Sequence, residues 1–273
     1  MKVGFVGLGM LGAPIARRIA RSGFSLVGCD INPQTLAAFD EPGTVREVNP
    51  ISVATEVDVL CVCVRTDQDL VSLVGDGALF PALGKDGIFI IHSTVDPGLC
   101  RRLADTAKMW GVDLLDVGVS GGGPAALQGE LSIFAGGDPA AFDRAKPLLA
   151  SYGKSVVHLG PVGRGMEAKI LNNLVSIANY GLSAAILDLG ERLNFDREQL
   201  RQALMAGSAQ GFALRAVPGL LRPQGAAALR ELLKKDLDHA RTLAPEDDVA
   251  MAALVPAAQA MLDRLGRVAA ANN

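Results

Sequence analysis

Lys2-Val3-Gly4-Phe5-Val6-Gly7-Leu8-Gly9-Met10-Leu11-Gly12 is a short apolar strand running into G-x-G-x-x-G, and Ala13-Pro14-Ile15-Ala16-Arg17-Arg18-Ile19-Ala20 behind it has helical periodicity. Strand, glycine turn and helix in that order are the context a dinucleotide fingerprint requires. Gly7 permits the tight turn, Gly9 lets the backbone approach a pyrophosphate, and Gly12 allows the helix to pack close on the strand. Met10 and Leu11 sit between them, at the helix N-terminus where phosphates rest. A second strand, Ser25-Leu26-Val27-Gly28-Cys29-Asp30, ends in an acid about 20 residues on, where the fingerprint places a ribose-binding carboxylate. Asp30 either takes that role or caps the helix starting near Asn32-Pro33. A carboxylate there binds a 2′-hydroxyl and repels a 2′-phosphate, and no basic residue follows Asp30 until Arg46. NAD is therefore favoured over NADP.

Outward from this opening, strands are expected near 3–7, 25–30, 57–64, 88–92, 113–117, 131–135 and 155–159. Helical patterns fall between most of them, at 10–21, 33–39, 67–74, 96–110 and 138–150. Such alternation predicts an α/β fold with a doubly wound, mostly parallel sheet of the Rossmann type. After Gly165 the pattern is helix only, at 166–193, 196–207, 226–243 and 246–268, with the glycine and proline run 217–225 read as a loop. The expected division is an NAD(P)-binding domain over 1–162 and an all-α C-terminal domain over 163–273, joined by a long interdomain helix.

With 49% apolar residues the chain can bury sizeable cores, and a net charge of −3 gives no electrostatic footprint for nucleic acid or an anionic membrane. The first strand leaves no room for a signal peptide, and no uncharged stretch is read as long enough to span a bilayer, so a cytoplasmic protein is expected. Cys29, Cys61 and Cys63 fall in predicted strands and Cys100 in a predicted helix. Cys61-x-Cys63 places both thiols on one strand face, which suits core packing better than a tetrahedral metal site. His92, His158 and His239 are scattered, and no metal is expected.

Three stretches carry chemistry. Gly163-Arg164-Gly165-Met166-Glu167-Ala168-Lys169-Ile170-Leu171-Asn172-Asn173 starts a helix on which Lys169 and Asn173 share a stripe, one turn apart; this is either a site or a solvated patch. His92-Ser93-Thr94-Val95-Asp96-Pro97-Gly98 puts hydroxyls past a strand's C-terminal end, where ligands bind in open sheets, and also offers Ser93, Thr94 or Asp96 as a helix cap. Asp116-Val117-Gly118-Val119-Ser120-Gly121-Gly122-Gly123-Pro124 follows a serine with three glycines, whose bare amides suit an anion nest; the alternative is a flexible loop.

Taken together, the chain resembles the β-hydroxyacid dehydrogenases, the family of 3-hydroxyisobutyrate dehydrogenase and tartronate semialdehyde reductase. The resemblance rests on four motifs in order: Gly7 to Gly12, the Asp116 to Gly122 loop similar to D-x-P-V-S-G-G, the Gly163 to Asn173 segment, and Lys235-Asp236-Leu237. It implies that Lys169 is catalytic and that Ser120, Gly121, Gly122 and Asn173 hold a small β-hydroxy acid. It further implies that Thr94 and Lys235 lie beside the nicotinamide, that Asp236 supports Lys235, and that the protein is a homodimer or homotetramer. The helix 166–193 points to the same assembly, being too apolar for one small domain to cover.

Several residues depart from the family pattern. Cys63-Val64-Arg65 stands for Met-Leu-Pro: the Val64 backbone keeps its contact to the cofactor, and Arg65 is either a new cation near the site or a solvated loop residue. Val117-Gly118 replaces Ala-Pro, which predicts a less rigid entry to the substrate loop. Ala228 stands where relatives often have Phe, so a bulkier acid is admitted. A 6-phosphogluconate dehydrogenase would carry Lys-x-x-His-Asn, and Asn172 replaces that histidine. An imine reductase would lack Lys169. A catalytically silent NAD-binding oligomeric module is the alternative outside enzymology.

Overall fold

The computed structural model describes residues 1–75, 77–245 and 247–271. They form two compact units, Met1–Lys169 and Ile170–Asn273. The first is built on strands β1 (Lys2–Val6), β2 (Ser25–Cys29), β3 (Thr44–Glu47), β4 (Val59–Val62), β5 (Ile88–Ile91), β6 (Asp113–Ser120), β7 (Leu131–Gly136) and β8 (Gly153–His158). They make one sheet in the order β3-β2-β1-β4-β5-β6-β7-β8. Every pairing is parallel except β6 with β7, where Val117 faces Ala135 and Gly118 faces Phe134. Parallel strands covered on both faces read as continuous apolar runs, and all four residues of β4 and of β5 are buried.

Around the sheet run α1 (Gly12–Arg21), α2 (Pro33–Ala38), α3 (Pro50–Ala54), α4 (Asp67–Val74), α5 (Leu79–Leu83), α6 (Pro97–Lys108), α7 (Gly122–Gln128), α8 (Pro139–Tyr152) and the start of α9 (Arg164–Arg192). Four of these helices begin with the same device: Asn32, Asn49, Asp96 and Asp138 each accept a backbone N–H of the first turn, and a proline follows at its first position. Alternate strand residues on one face of the sheet, among them Phe5, Ile90, Leu115, Val117 and Ile133, pack with Ile15 and Ile19 of α1 and Leu148 of α8 in one core.

The sequence pattern misses β3, α3, α5 and α7, each of seven residues or fewer. Such elements are too short to display a period. At the glycine run, Gly121 (φ 132°) and Gly122 (φ 73°) turn the chain out of β6, and α7 starts at once, so this is an ordered strand-to-helix turn and not a flexible loop. Cys63 lies beyond the end of β4 and is partly exposed, so Cys61 and Cys63 are not a pair on one strand.

The second unit contains the rest of α9 with α10 (Arg197–Ala206), α11 (Phe212–Leu220), α12 (Ala226–Arg241) and α13 (Val249–Ala270). Ala184 and Leu187 of α9 bury Leu214 and Val217 of α11. That packing corrects the loop expected at 217–225: α11 runs through Pro218 because its buried side chains outweigh the lost N–H. Glu246, expected to open the last helix, and residues 272–273 lie outside the described residues; α13 is capped by Asp248. By length and composition α9 is apolar enough to cross a membrane, so the expectation that no stretch reaches that length is corrected.

Candidate active site

The strand order reverses between β1 and β4, and ligands of open α/β sheets bind at such a switch point, past the strands' C-terminal ends. Here the chain leaves β1 through Gly7 at φ 94°, where an added Cβ would run into the carbonyl of Cys63 beyond β4. A Cβ at Gly12 would run into the Gly7 carbonyl, so the turn between them closes only with glycine at both ends. Gly9, by contrast, faces nothing within 4 Å, and Met10 is 92% exposed. The three glycines thus divide as a fingerprint requires, two for closure and one for open approach.

Asp30 follows β2 and holds this turn from below: one oxygen accepts the Leu8 N–H at 2.7 Å and the other accepts the Asn32 N–H at 2.8 Å. Each oxygen keeps a second lone pair for a hydroxyl. The cap of α2 is Asn32, so Asp30 is not the helix cap. The arginines nearby in sequence are engaged elsewhere. Arg17 and Arg21 bind Glu41, lowering its pKa, Arg18 donates to the Ser151 carbonyl, and Arg46 donates to the Ala37 carbonyl.

Past β4 and β5, Ser93 is buried and its Oγ accepts the Val64 N–H at 2.8 Å, so any contact from the Val64 backbone to a cofactor falls to its carbonyl. Asp96 is the cap of α6, and Asp67 accepts the Asp96 N–H at 2.9 Å, joining the two loops. Thr94 is half-buried between Ser93 and this cap, and Arg65 is exposed. Beneath lies a group that sequence reading passed over. His92 stacks on Phe5 with 6.0 Å between ring centroids, its Nδ1 is 3.0 Å from the Val117 carbonyl, and its Nε2 is 3.2 Å from the Tyr152 hydroxyl. A neutral ring donates at Nδ1 and accepts at Nε2, and burial pushes its pKa down to about 4.

β6 carries the third part. Ser120 ends the strand half-buried, and an added Cβ on Gly123 would touch the Met10 carbonyl at 3.0 Å, so the Ser120 to Gly122 turn lies against the fingerprint loop. Two residues earlier, Gly118 lies under Lys169: its added Cβ would collide with the lysine's Cβ and stand 2.9 Å from its Cγ. This corrects the expectation of a less rigid entry. Gly118 is an ordered ladder residue, and its missing side chain makes room for Lys169. Asp116, two residues earlier still, is fully buried and accepts the N–H groups of Gly163 at 2.8 Å and Met166 at 2.7 Å. Burial pushes its carboxyl up to about 6 against the pull of those bonds. Its signal in the sequence was a charge within an apolar strand run.

In the second unit Asn173 donates to Asp236 at 2.8 Å, and Asn172 donates to Asn173 at 3.2 Å. Lys235 Nζ is 3.8 Å from the other oxygen of this buried carboxylate. Among the described residues no three His, Cys, Asp or Glu side chains gather as a metal site. A nicotinamide dinucleotide fits the first unit: the open face at Gly9, the helix start behind it and the tied Asp30 carboxylate are the parts that its pyrophosphate and ribose need.

Two family models cover the chain. One described as the NAD binding domain of 6-phosphogluconate dehydrogenase matches residues 2–160, and one described as NAD-binding of NADP-dependent 3-hydroxyisobutyrate dehydrogenase matches 163–272. The human mitochondrial 3-hydroxyisobutyrate dehydrogenase is 31% identical over 223 residues, 80% of this chain; the match spans 66% of the human protein, just under two thirds of its length. An uncharacterised oxidoreductase of Mycobacterium tuberculosis is 30% identical over 277 residues, covering 97% of this chain and 92% of that one. Among solved structures, 3-hydroxyisobutyrate dehydrogenase from Salmonella typhimurium superposes with a TM-score of 0.81 at 25% identity, over 99% of this chain and 95% of that one.

Proposed function

Because this chain belongs to the β-hydroxyacid dehydrogenase family, we propose that it moves a hydride between a nicotinamide dinucleotide and a small β-hydroxy acid of the 3-hydroxyisobutyrate kind, or its semialdehyde. One observation carries the reading. On the first unit alone, the Lys169 stem packs on Gly118, two strand positions before Ser120, and the turn after Ser120 lies against Met10 of the fingerprint loop. An ammonium, a hydroxyl donor and a dinucleotide cradle therefore belong to one rigid sheet edge.

The nicotinamide, when bound, accepts or supplies the hydride. Lys169 handles the matching proton: as a neutral amine it takes the hydroxyl proton of the acid, and as an ammonium it returns a proton to the developing alkoxide. Ser120 and the amides of Gly121 and Gly122 orient the carboxylate, so that the carbinol carbon is presented in one pose. Asn173, oriented by Asp236, adds a carboxamide to substrate binding, and Thr94 and Lys235 serve the nicotinamide end. Ala228, standing where relatives often have Phe, is the ground for admitting an acid bulkier than 3-hydroxyisobutyrate.

NAD is the proposed cofactor in preference to NADP, since Asp30 repels a 2′-phosphate and the α1 and β3 arginines already have partners. The protein is proposed to act as a homodimer or homotetramer in the cytoplasm. On α9, Leu171, Val175, Leu182, Ile186 and Leu189, with Leu193 just past its end, are each 42–61% exposed at helical spacing, an apolar stripe of the kind a second copy covers. The test is initial-rate measurement with NAD and NADP over 3-hydroxyisobutyrate, 3-hydroxypropionate, glycerate, serine and 6-phosphogluconate. Faster NAD reduction with one non-phosphorylated acid is expected; activity confined to 6-phosphogluconate or to NADP would overturn the assignment.

A further inference from the structure

The first N–H groups of a helix have no partner within it and need an acceptor from elsewhere. α2, α6 and α8 take it from the side chain just before the helix, Asn32, Asp96 and Asp138, whereas α1, α5 and α7 begin with no side-chain cap. α9 is different. Gly163 and Gly165 flank its first residue without side-chain oxygens, and the acceptor is Asp116 of β6, 47 residues before Gly163. One oxygen takes the Gly163 N–H and the other takes the Met166 N–H, so the carboxylate spans the first turn.

We propose that Asp116 is the positioning residue for Lys169: it clamps the first turn of α9 to β6 and thereby fixes where the lysine stands on the strand. This rests on the reading of Lys169 as the acid–base group. Alternate residues of a strand share a face, and here Asp116 holds the helix start, Gly118 receives the lysine stem and Ser120 offers its hydroxyl. The helix starts close enough for this only because position 165 is glycine, whose added Cβ would collide with the Asp116 carbonyl. A second tie, Arg101 to Glu167 at 3.1 Å, has an arginine that is 51% exposed and is open to screening. The buried clamp is what remains to set the register. Its charge also faces the positive end of α9, which offsets part of the cost of burying it.

The experiment is a double-mutant cycle on the full-length protein, with Asp116→Asn and Lys169→Ala made singly and together. An asparagine offers one acceptor oxygen and turns a donor toward the other N–H, so half the clamp is lost. Displacement of a reacting group by about 1 Å costs roughly a hundredfold, so Asp116→Asn should lower kcat by about tenfold to a hundredfold, with NAD affinity held within about twofold. In the Lys169→Ala background it should cost no more than about twofold further, because the residue it positions is gone. Equal losses in both backgrounds, or wild-type kcat in Asp116→Asn, would overturn the proposal. If Lys169→Ala itself kept wild-type turnover, the failure would belong to the acid–base reading instead. Amide exchange needs no substrate: Asp116→Asn should speed exchange at 163–169 by about tenfold and leave β1 and β4 unchanged, and unchanged exchange at 163–169 would contradict the clamp. Should Asp116→Asn not fold, Asp116→Ser takes its place in the cycle, since one short hydroxyl then replaces the two oxygens that accept the Gly163 and Met166 N–H groups.

Discussion

Between neutral pH and pH 4, His92 and Asp116 should pull the stability of the sheet unit in opposite directions, and removing either should unmask the other. His92 falls from an ordinary 6.5 to about 4, mainly through burial. As pH drops through that window the unfolded chain takes up the proton first, so the native state loses about 3 kcal/mol. Asp116 rises from 3.8 to about 6, again mainly through burial, with Glu167 adding in the same direction. Here the native state takes the proton first, so acidification from about 6 to 3.8 returns about 3 kcal/mol. The two contributions nearly cancel in the wild type. Asp116→Asn should therefore lose about 3 kcal/mol more than wild type between pH 7 and pH 4, and His92→Gln should gain about as much relative to wild type. Urea unfolding at closely spaced pH values, followed by circular dichroism, reads the slopes directly. Parallel pH dependence in all three proteins would refute the burial argument for both groups.

Gly12→Ala should reduce NAD binding at least tenfold by fluorescence titration and destabilise the protein by about 1–3 kcal/mol, because its Cβ is driven into the Gly7 carbonyl; unchanged affinity would remove the fingerprint turn from the cofactor site. Asp30→Ala should raise the NADP-to-NAD ratio of kcat/KM about tenfold and cost about 1–3 kcal/mol, since the Leu8 and Asn32 N–H groups lose a charged acceptor; an unchanged ratio would deny it the discriminating role. Replacing Leu182 and Ile186 together with Asp should convert an oligomer to monomer in sedimentation at micromolar concentration; a wild-type monomer, or an unaltered oligomer in the variant, would show that this stripe is not the interface.

What was legible in the sequence was local. The Lys2–Val6 strand, its glycine turn and α1 each announce themselves within a dozen residues, and α9 declares itself by 29 residues of helical composition. Lys169, Ser120 and Asp30 were visible because their motifs are contiguous. The residues that hold them in place were not. Asp116 reaches Gly163 across 47 residues, His92 meets Tyr152 across 60, and Ser93 meets Val64 across 29; no periodicity encodes such contacts. Gly118 read as added freedom because its space requirement exists only once Lys169 lies on it. α11 was lost for the opposite reason: Pro218 and Gly219 signal a break, and burial of Leu214 and Val217 overrides it.

In the proposed reaction Lys169 moves the proton that accompanies hydride transfer. The deciding measurement is initial rates of NAD reduction for wild type and Lys169→Ala, on the acid of the panel that the wild type turns over fastest. NAD affinity is measured on both proteins to show that the cradle is intact. A loss of 10²–10⁴-fold in kcat at unchanged NAD affinity is predicted, the range that positioned acid–base groups supply. Turnover within about tenfold of wild type in Lys169→Ala would mean that another group moves the proton.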